Sequence, residues 1–411
     1  VPDASQVEDL VDDVVIVVGV GADGWEGLSP TSQRALLAAE VIMGGARQLD
    51  LLPTRSSAER VKWPSPLLPA LPGLLAAHRG RAVCVLASGD PLFHGIGGTL
   101  VRLLGAARVR VLPHPSSVSL ACAAMGWTAD SVEVVSAVGR PVAAVAAAVQ
   151  PGRRVLVLSA DGDTPGQVAR LLVASGWGAS EVTVLEDLGG PGERRTSTLA
   201  SGWSGVAGPL NVVAVECRGG PLLPRVPGLP DDVFANDGQL TKREVRAITL
   251  SRLAPVPGQL LWDVGGGAGS VAVEWARTHP SCRATAVEQH AERAERITRN
   301  AHALGVPGVR VVVGTAPDAL AGLEPPDAVF VGGGVTAPGL VQRCWDALKP
   351  GGRLVVNAVT LESEAVVAEG YRRLGGDLVR VAVQRASPVG GFTGWRPAMP
   401  VTTWTAIKES S

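Results

Sequence analysis

The sequence predicts an α/β protein built as two domains, and three observations carry that expectation. The chain has 411 residues, beyond the size at which a single hydrophobic core keeps growing. In both halves, apolar runs that end in Gly or Pro alternate with stretches of helical periodicity, the pattern of buried strands covered by helices. Between Cys217 and Asp232 the text becomes RGGPLLPRVPGLPD, dense in Pro and Gly and without period, which reads as a linker. The expected division is 13–218 for the first domain, 219–232 for the linker and 233–411 for the second domain.

Composition narrows the class. With 46% hydrophobic and 18% charged residues, the chain can bury enough apolar surface to argue against intrinsic disorder. A formal net charge of -1 lacks the basic excess that holds a nucleic-acid backbone, so no nucleic-acid partner is expected. Cys84, Cys122, Cys217, Cys282 and Cys344 lie far apart, with no CxxC pair and no metal-like His spacing. No metal is expected, and the thiols read as small buried groups in a reducing compartment. No window reaches the roughly 18 apolar residues of a membrane helix, and the start has no basic region followed by an apolar run. The expectation is a cytoplasmic enzyme with no membrane partner. The acidic residues 1–12 are expected to be loose, and neither half shows a short solenoid repeat.

In the first half, VVIVVGVG (14–21), RAVCVLASGD (81–90) and RVRVLP (108–113) read as buried strands, with helical stretches such as TSQRALLAAE (31–40) between them. After HPSSVSLACAAMGW (114–127) come RRVLVLSA (153–160), EVTVLED (181–187), RRTSTLAS (194–201) and NVVAVE (211–216). These later strands follow one another with little helix between them, so this half is expected to have two lobes, the second with a mixed sheet. The Ala-rich VAAVAAAVQ (142–150) is expected to be a plain helix.

The second half alternates more regularly. QLLWDVGGG (259–267), RATAVEQ (283–289), VRVVVG (309–314), DAVFVGGG (327–334), GRLVVNAV (352–359), DLVRVAVQ (377–384) and VTTWTAIK (401–408) supply seven strands. A doubly wound sheet with an antiparallel edge is expected.

LLWDVGGGAGS follows the first of these strands and leads into the helical VAVEWAR, which puts Gly265, Gly267 and Gly269 in the turn between them. Glycines there let a ligand come close to the backbone, and the helix start offers unpaired amides to its polar or anionic part. Glu288 closes the next strand about twenty residues on, where an acid grips ribose hydroxyls. Each feature alone is common; in this order they indicate an adenosine-containing cofactor. A dinucleotide and S-adenosylmethionine both satisfy that description. Asp263 favours the second, because DxGxGxG is the spacing typical of methyltransferases and the cofactor's amino-acid end can lie near that first acid. A nicotinamide-dependent oxidoreductase using the GGGAG loop is the rival enzyme class.

Longer segments of the second half then carry a resemblance. TKREVRAITLSRL (241–253), WDVGGGAGSVAVE, AVEQHAERAERITRNAHALGV (286–306), GTAPDAL (314–320), DAVFVGGG, LKPGGRLVVNAVTLESE (348–364) and PVGGFTGWRPAMPVTTW (388–404) resemble the decarboxylating precorrin methyltransferase domain of cobalamin synthesis. That family has a seven-stranded Rossmann-like class I methyltransferase fold. LKPGG and GxGxG are widespread among methyltransferases, whereas TKREVRA, VNAVTLESE and GGFTGWRPAMPV are narrower signatures. The resemblance places Thr241, Gly265, Gly266, Gly267, Ala268, Gly269, Glu288 and the turn Gly314, Thr315 and Ala316 around the cofactor, beside the Asp263 already named. Ala268 stands where Ser or Thr is frequent, and Thr315 where Asp is frequent.

The first half is similar to a second, unrelated fold, that of the two-lobed tetrapyrrole methylases. VVGVGADG (17–24), LASGDPLFHGIGGTL (86–100), HPSSVSLACA (114–123), LSADGDTPGQVARLL (158–172), VLEDLGGPGERR (184–195) and GPLNVVAVE (208–216) keep the family's order. By resemblance the cofactor lies between the lobes against Gly89, Asp90, Ile96, Ser116, Ser117, Ala160 and Leu188, with Gly21 in the first glycine turn. Phe93-His94 replaces the more usual Phe-Tyr. The fused arrangement resembles the decarboxylating, two-site precorrin-6Y methyltransferases.

That resemblance implies S-adenosylmethionine at two sites, one per domain, and a small-molecule tetrapyrrole substrate. It implies methylation of precorrin-6B at C5 by the first domain, and C15 methylation with loss of carbon dioxide from the C12 acetate by the second, giving precorrin-8X. A cobalt-containing precorrin is the alternative substrate, and a homo-oligomer is expected because both families commonly assemble. A degenerate half serving only for dimerisation or channelling is the non-catalytic rival. Lys242, Arg243, Arg246, Arg385 and Arg396 are the candidate anchors for substrate carboxylates. His114 and His94 are candidate acid–base groups, and Trp395 is a candidate stacking surface.

Overall fold

The structure, a computed structural model, describes residues 14–54 and 56–409. The acidic residues 1–12 and the expected domain limits at 13 and 411 lie outside the described residues. Two compact units result: one reaches Gly220 but omits Ala143–Gln150, and the other comprises Ala143–Gln150 and the chain from Pro221 onward.

The first unit opens with β1 (Val15–Val20), α1 (Pro30–Ala38), β2 (Val41–Gly44), α2 (Ala46–Asp50), β3 (Glu59–Lys62), α3 (Leu67–Ala77), β4 (Val83–Ser88), α4 (Gly97–Leu104) and β5 (Val109–Leu112). Its five strands form a parallel sheet in the order β3-β2-β4-β1-β5. Alternate strand residues feed two apolar clusters, Val15, Val17 and Val85 in one and Val18, Ile42 and Leu86 in the other, as the strand period of two requires. The second lobe follows with α5 (Ser117–Met125), β6 (Val132–Ser136), β7 (Arg154–Leu158), α6 (Thr164–Ala174), β8 (Glu181–Glu186), β9 (Arg194–Leu199) and β10 (Asn211–Glu216). Its order is β6-β7-β10-β8-β9, with only the β6–β7 pair parallel, so the sheet is mixed.

The second unit contains α7 (Arg243–Leu253), β11 (Leu260–Val264), α8 (Ser270–Thr278), β12 (Arg283–Glu288), α9 (Ala291–Ala303), β13 (Arg310–Val313), β14 (Ala328–Val331), α10 (Leu340–Ala347), β15 (Arg353–Ala358), α11 (Leu361–Leu374), β16 (Asp377–Val381), β17 (Gln384–Val389), β18 (Phe392–Pro397) and β19 (Val401–Ile407). The main sheet runs β13-β12-β11-β14-β15-β19-β16. Leu261, Ala286 and Phe330 enter one core with Val271 and Trp275 of α8, while Trp262, Val287 and Val329 enter the other with Cys344 of α10 and Val367 of α11. Helices therefore cover both faces, which is why these strands read as continuous apolar runs.

Four local expectations need correction. The antiparallel strand is not the edge: β19 lies between β15 and β16 and runs antiparallel to both. The apolar VTTWTAI is largely buried in that slot, whereas the half-exposed DLVRV takes the rim. Residues 142–147 form a 3-10 helix rather than an α-helix, because Pro141 and Pro151 bracket the stretch and its valines weaken helical preference. The strand expected over 377–384 stops at Val381, and 384–397, to which no further strand was assigned, is the hairpin β17–β18, a two-stranded sheet of its own.

The fourth correction concerns the Pro/Gly run, which is no free tether from Pro221 on. Leu229 and Phe234 are core residues. Glu274 accepts from the backbone N–H of Gly228 at 2.6 Å and Leu229 at 2.9 Å, and the Arg277 guanidinium donates to the Leu223 carbonyl at 2.7 Å.

Candidate functional site

At the carboxyl ends of β11, β12 and β14 the second unit opens a cleft of about 860 Å³, the expected place for a ligand in a doubly wound sheet. Its floor is bare backbone. Gly265 (φ +73°) and Gly267 (φ +58°) occupy the left-handed region, and a Cβ on Gly265 would sit 2.9 Å from the backbone of Gly333. The loop is pinned by Gly265 and Gly266 N–H groups donating to the Val287 carbonyl at 3.0 and 3.1 Å. Asn300 of α9 holds it from below, donating to the Ala268 carbonyl at 2.8 Å.

Glu288 sits at the cleft's edge with both carboxylate oxygens engaged. One accepts from Gly267 N–H at 2.9 Å and the other from His290 N–H at 3.0 Å. Each oxygen keeps a further lone pair, so the group can still accept from the two hydroxyls of a ribose. With the glycine floor beside it, this acceptor pair fits an adenosine-bearing ligand.

Of the residues expected around that ligand, Thr241, Gly265, Gly266, Gly267, Glu288, Gly314, Thr315 and Ala316 line the cleft. Three do not. Asp263 is buried behind the loop, where its carboxylate accepts from Ala272 N–H at 3.0 Å and fixes the start of α8. Burial pushes its pKa up to about 7, with the Glu288 charge adding to the rise and the Ala272 hydrogen bond opposing it. Ala268 is buried, and Gly269 faces Ile297.

The candidate anchors separate in the same way. Lys242 and Arg385 line the cleft, and Arg385 is ion-paired to Glu244 in the first turn of α7. Arg396 stands on the hairpin directly opposite Arg385. Arg243 is exposed at the start of α7, beside Gly228 and outside the cleft lining. Arg246 must be withdrawn as an anchor. It is 0% exposed and its guanidinium donates to Glu274 at 2.6 Å, to Asp231 at 3.1 Å and to the Thr241 and Leu229 carbonyls, which leaves it engaged within the protein.

Several lining residues escaped sequence reasoning: Gln239, Glu244, Gly332, Thr336, Asn357 and Met399. Asn357 is held between two buried threonines, donating to Thr249 at 2.9 Å and accepting from Thr403 at 2.8 Å. The DAVFVGGG and VNAVTLESE segments were the available signals. Arg293 also lines the cleft, and with Arg296 it holds the Asp237 carboxyl well below the usual range.

In the first unit, three turns converge. The Gly89 N–H donates to the Val20 carbonyl at 3.0 Å, and Gly89 (φ +57°) packs so tightly that a Cβ would lie 3.3 Å from Pro115 and Ser116 backbone atoms. Gly190, after β8, comes closer still to Ala22, after β1, where a Cβ would lie 2.8 Å from the Ala22 side chain. Gly21, Gly89, Asp90, Ser116 and Ser117 therefore gather at one end of the parallel sheet. Ser116 caps α5, and Asp90 accepts from Leu92 N–H at 2.9 Å. Ile96 packs against the core cluster that holds Val17, Val85 and Leu100, and Leu188 belongs to the cluster that holds Val118 and Ala121 of α5. Ala160 follows β7 beside Ser159, whose buried hydroxyl has no hydrogen-bond partner, an orphaned group consistent with a ligand there. His114 lies 3.2 Å from Asp23, so it is tied to the first glycine turn. His94 (φ +57°) is exposed as a residue, and partial desolvation of its ring, with the Arg140 charge second, lowers its pKa.

The five cysteines are buried and unpaired by disulfides. Among the described residues no helix is long and apolar enough to cross a membrane, and no group of three or more His, Cys, Asp or Glu is placed to hold a metal ion.

Comparison with known families matches residues 14–201 to the tetrapyrrole (corrin/porphyrin) methylases and residues 232–408 to the precorrin methyltransferase domain. A precorrin-6Y C(5,15)-methyltransferase [decarboxylating] of Sinorhizobium sp is 49% identical over 403 residues, 97% of each chain. A probable cobalt-precorrin-6B C(15)-methyltransferase (decarboxylating) of Pyrobaculum calidifontis is 37% identical over 44% of this chain and 95% of its own. A cobalt-precorrin-7 C(5)-methyltransferase of Salmonella typhimurium is 34% identical over 44% of this chain and 88% of its own.

Proposed function

The chain belongs to the precorrin-6Y C5,15-methyltransferase (decarboxylating) family, and on that premise we propose that each of its two domains binds its own S-adenosylmethionine and performs one methylation. The first domain methylates C5 of a reduced tetrapyrrole. The second methylates C15 and releases carbon dioxide from the C12 acetate, so that precorrin-6B becomes precorrin-8X. The observation that carries the two-site reading is the Glu288 carboxylate beside a bare glycine floor in the second unit, matched by a separate convergence of glycine turns in the first. The half-length relatives named for C5 or C15 alone support the division of labour. Cobalt-free substrate is favoured because the full-length relative, at higher identity than either half-length one, is named without the metal.

S-Adenosylmethionine supplies an electrophilic methyl group held on a sulfonium. The chain's task is to align it with a meso carbon made nucleophilic by the conjugated pyrrole nitrogens, which is catalysis by positioning. Glu288 and the loop Gly265 to Gly267 hold the adenosine end. Lys242 and Arg385 hold substrate carboxylates and offset their charge. Closing the C12 acetate away from water favours loss of carbon dioxide, whose bonding electrons pass into the conjugated macrocycle. The enzyme acts in the cytoplasm and as a homo-oligomer.

The test incubates the whole chain anaerobically with precorrin-6B and methyl-labelled S-adenosylmethionine, followed by mass spectrometry. Two labelled methyl groups gained and one carbon dioxide lost are expected. A single methyl group at saturating cofactor would overturn the two-site reading.

A further inference from the structure

The hairpin β17–β18 has two unlike faces. Residues directly opposite on antiparallel strands share a face, so the register places Arg385 with Arg396, Ser387 with Gly394, and Val389 with Phe392 on one side. Ala386 with Trp395, Pro388 with Thr393, and Gln384 with Pro397 occupy the other. Like charges directly opposite each other weaken a strand pair, and this ribbon has no second sheet to compensate. Arg385 has Glu244 as a partner; among the described residues, Arg396 has no acid within ion-pair distance. Farther along the same face Phe392 is 85% exposed and Val389 is exposed beside it. Arg385 and its partner Glu244 both line the cleft, as do Val383 and Ala398 at the hairpin's base. Cations at the base and apolar groups at the tip lie about 13 Å apart, four residues at ~3.3 Å each.

We propose that this Arg385/Arg396 face is the outer wall of the substrate site in the second unit: the two guanidiniums take peripheral carboxylates of the tetrapyrrole, and Val389 and Phe392 cover its ring. The assignment rests on the precorrin reading above. Charge complementarity selects the occupant, since a largely apolar macrocycle edged with carboxylates matches both halves of the face. Trp395, on the opposite face, takes no part in it. The Glu244 carboxylate already competes for Arg385, so Arg396 is the cation fully available to the substrate.

The test compares R396Q, F392A and W395A in the full chain, reading C15 methylation with precorrin substrate, S-adenosylhomocysteine affinity by calorimetry, and subunit mass by light scattering. R396Q should raise the substrate KM roughly tenfold or more, the loss of one charge-assisted hydrogen bond, and should flatten its salt dependence. F392A should also raise KM, while W395A stays within about twofold, as expected for a surface position away from the contact. Cofactor affinity and subunit mass should match the parent in all three. Unchanged KM in R396Q and F392A, a larger effect in W395A, or a change of subunit mass that accounts for the KM shift would each overturn the assignment. Absence of precorrin methylation by the parent chain would instead strike the functional reading beneath it.

Discussion

Replacing Glu288 by Gln separates the two proposed cofactor sites. In the folded chain the carboxylate accepts from Gly267 N–H at 2.9 Å and from His290 N–H at 3.0 Å. The amide keeps one acceptor oxygen but turns an NH2 toward a backbone donor, so the loop loses one support and the ribose loses one charged acceptor. Hydrogen bonds to charged groups contribute about 1.5–3 kcal/mol each, so the second unit's dissociation constant should rise about 10- to 150-fold. Isothermal titration with S-adenosylhomocysteine reads this directly. The parent chain should bind two equivalents, and E288Q should keep one at parental affinity while the other weakens. Two equivalents at parental affinity in E288Q would refute the role given to this residue, and one equivalent in the parent would refute the two-site reading.

Three further outcomes are expected. The Asp263 carboxyl has its ordinary value of 3.8 when unfolded and about 7 when folded, so the folded state binds the proton more tightly. Its stabilising contribution is complete below 3.8 and lost as pH rises through 7, on the order of 4 kcal/mol across that window; urea midpoints of the second unit should therefore fall more steeply between pH 5 and 8 in the parent chain than in D263N, and parallel profiles would contradict this. E274A should destabilise the second unit by about 3–5 kcal/mol by stranding the buried Arg246, seen as a lowered denaturation midpoint, with substrate KM unchanged in the remaining folded fraction. G265A places a side chain at φ +73° and 2.9 Å from Gly333, so it should abolish cofactor binding in the second unit while the first unit still binds by calorimetry.

Much of the second site was legible because its chemistry is local. A glycine turn after a strand, and an acid closing the next strand, state their roles within thirty residues, and Gly265, Gly267 and Glu288 all reach the cleft. Asp263 was read with the same spacing, but its burial depends on where α8 lands, and that placement turns it toward Ala272. Arg246 sits in a segment that marks the family, yet its direction is decided by Glu274 and Asp231, partners in other parts of the chain. The slot of β19 followed from competition between two strands for burial, which no single stretch records. The tip of the hairpin was legible only as part of the GGFTGWRPAMPV signature, because unlike faces exist only once a register is set.

The stretch between the two halves has a consequence for anyone dividing or rebuilding this fusion. Spacers between catalytic modules are usually treated as exchangeable cord, adjustable in length and content. Here the cord from Pro221 to Asp232 is part of the second module's shell: it supplies the Leu229 side chain to the core, the Gly228 and Leu229 amides to Glu274, and the Leu223 carbonyl to Arg277. A Gly/Ser replacement of equal length would preserve reach and the backbone amides and carbonyls, yet remove the Leu229 side chain from the core and the Asp231 carboxylate from the buried Arg246. A second module cut downstream of this run loses these contacts.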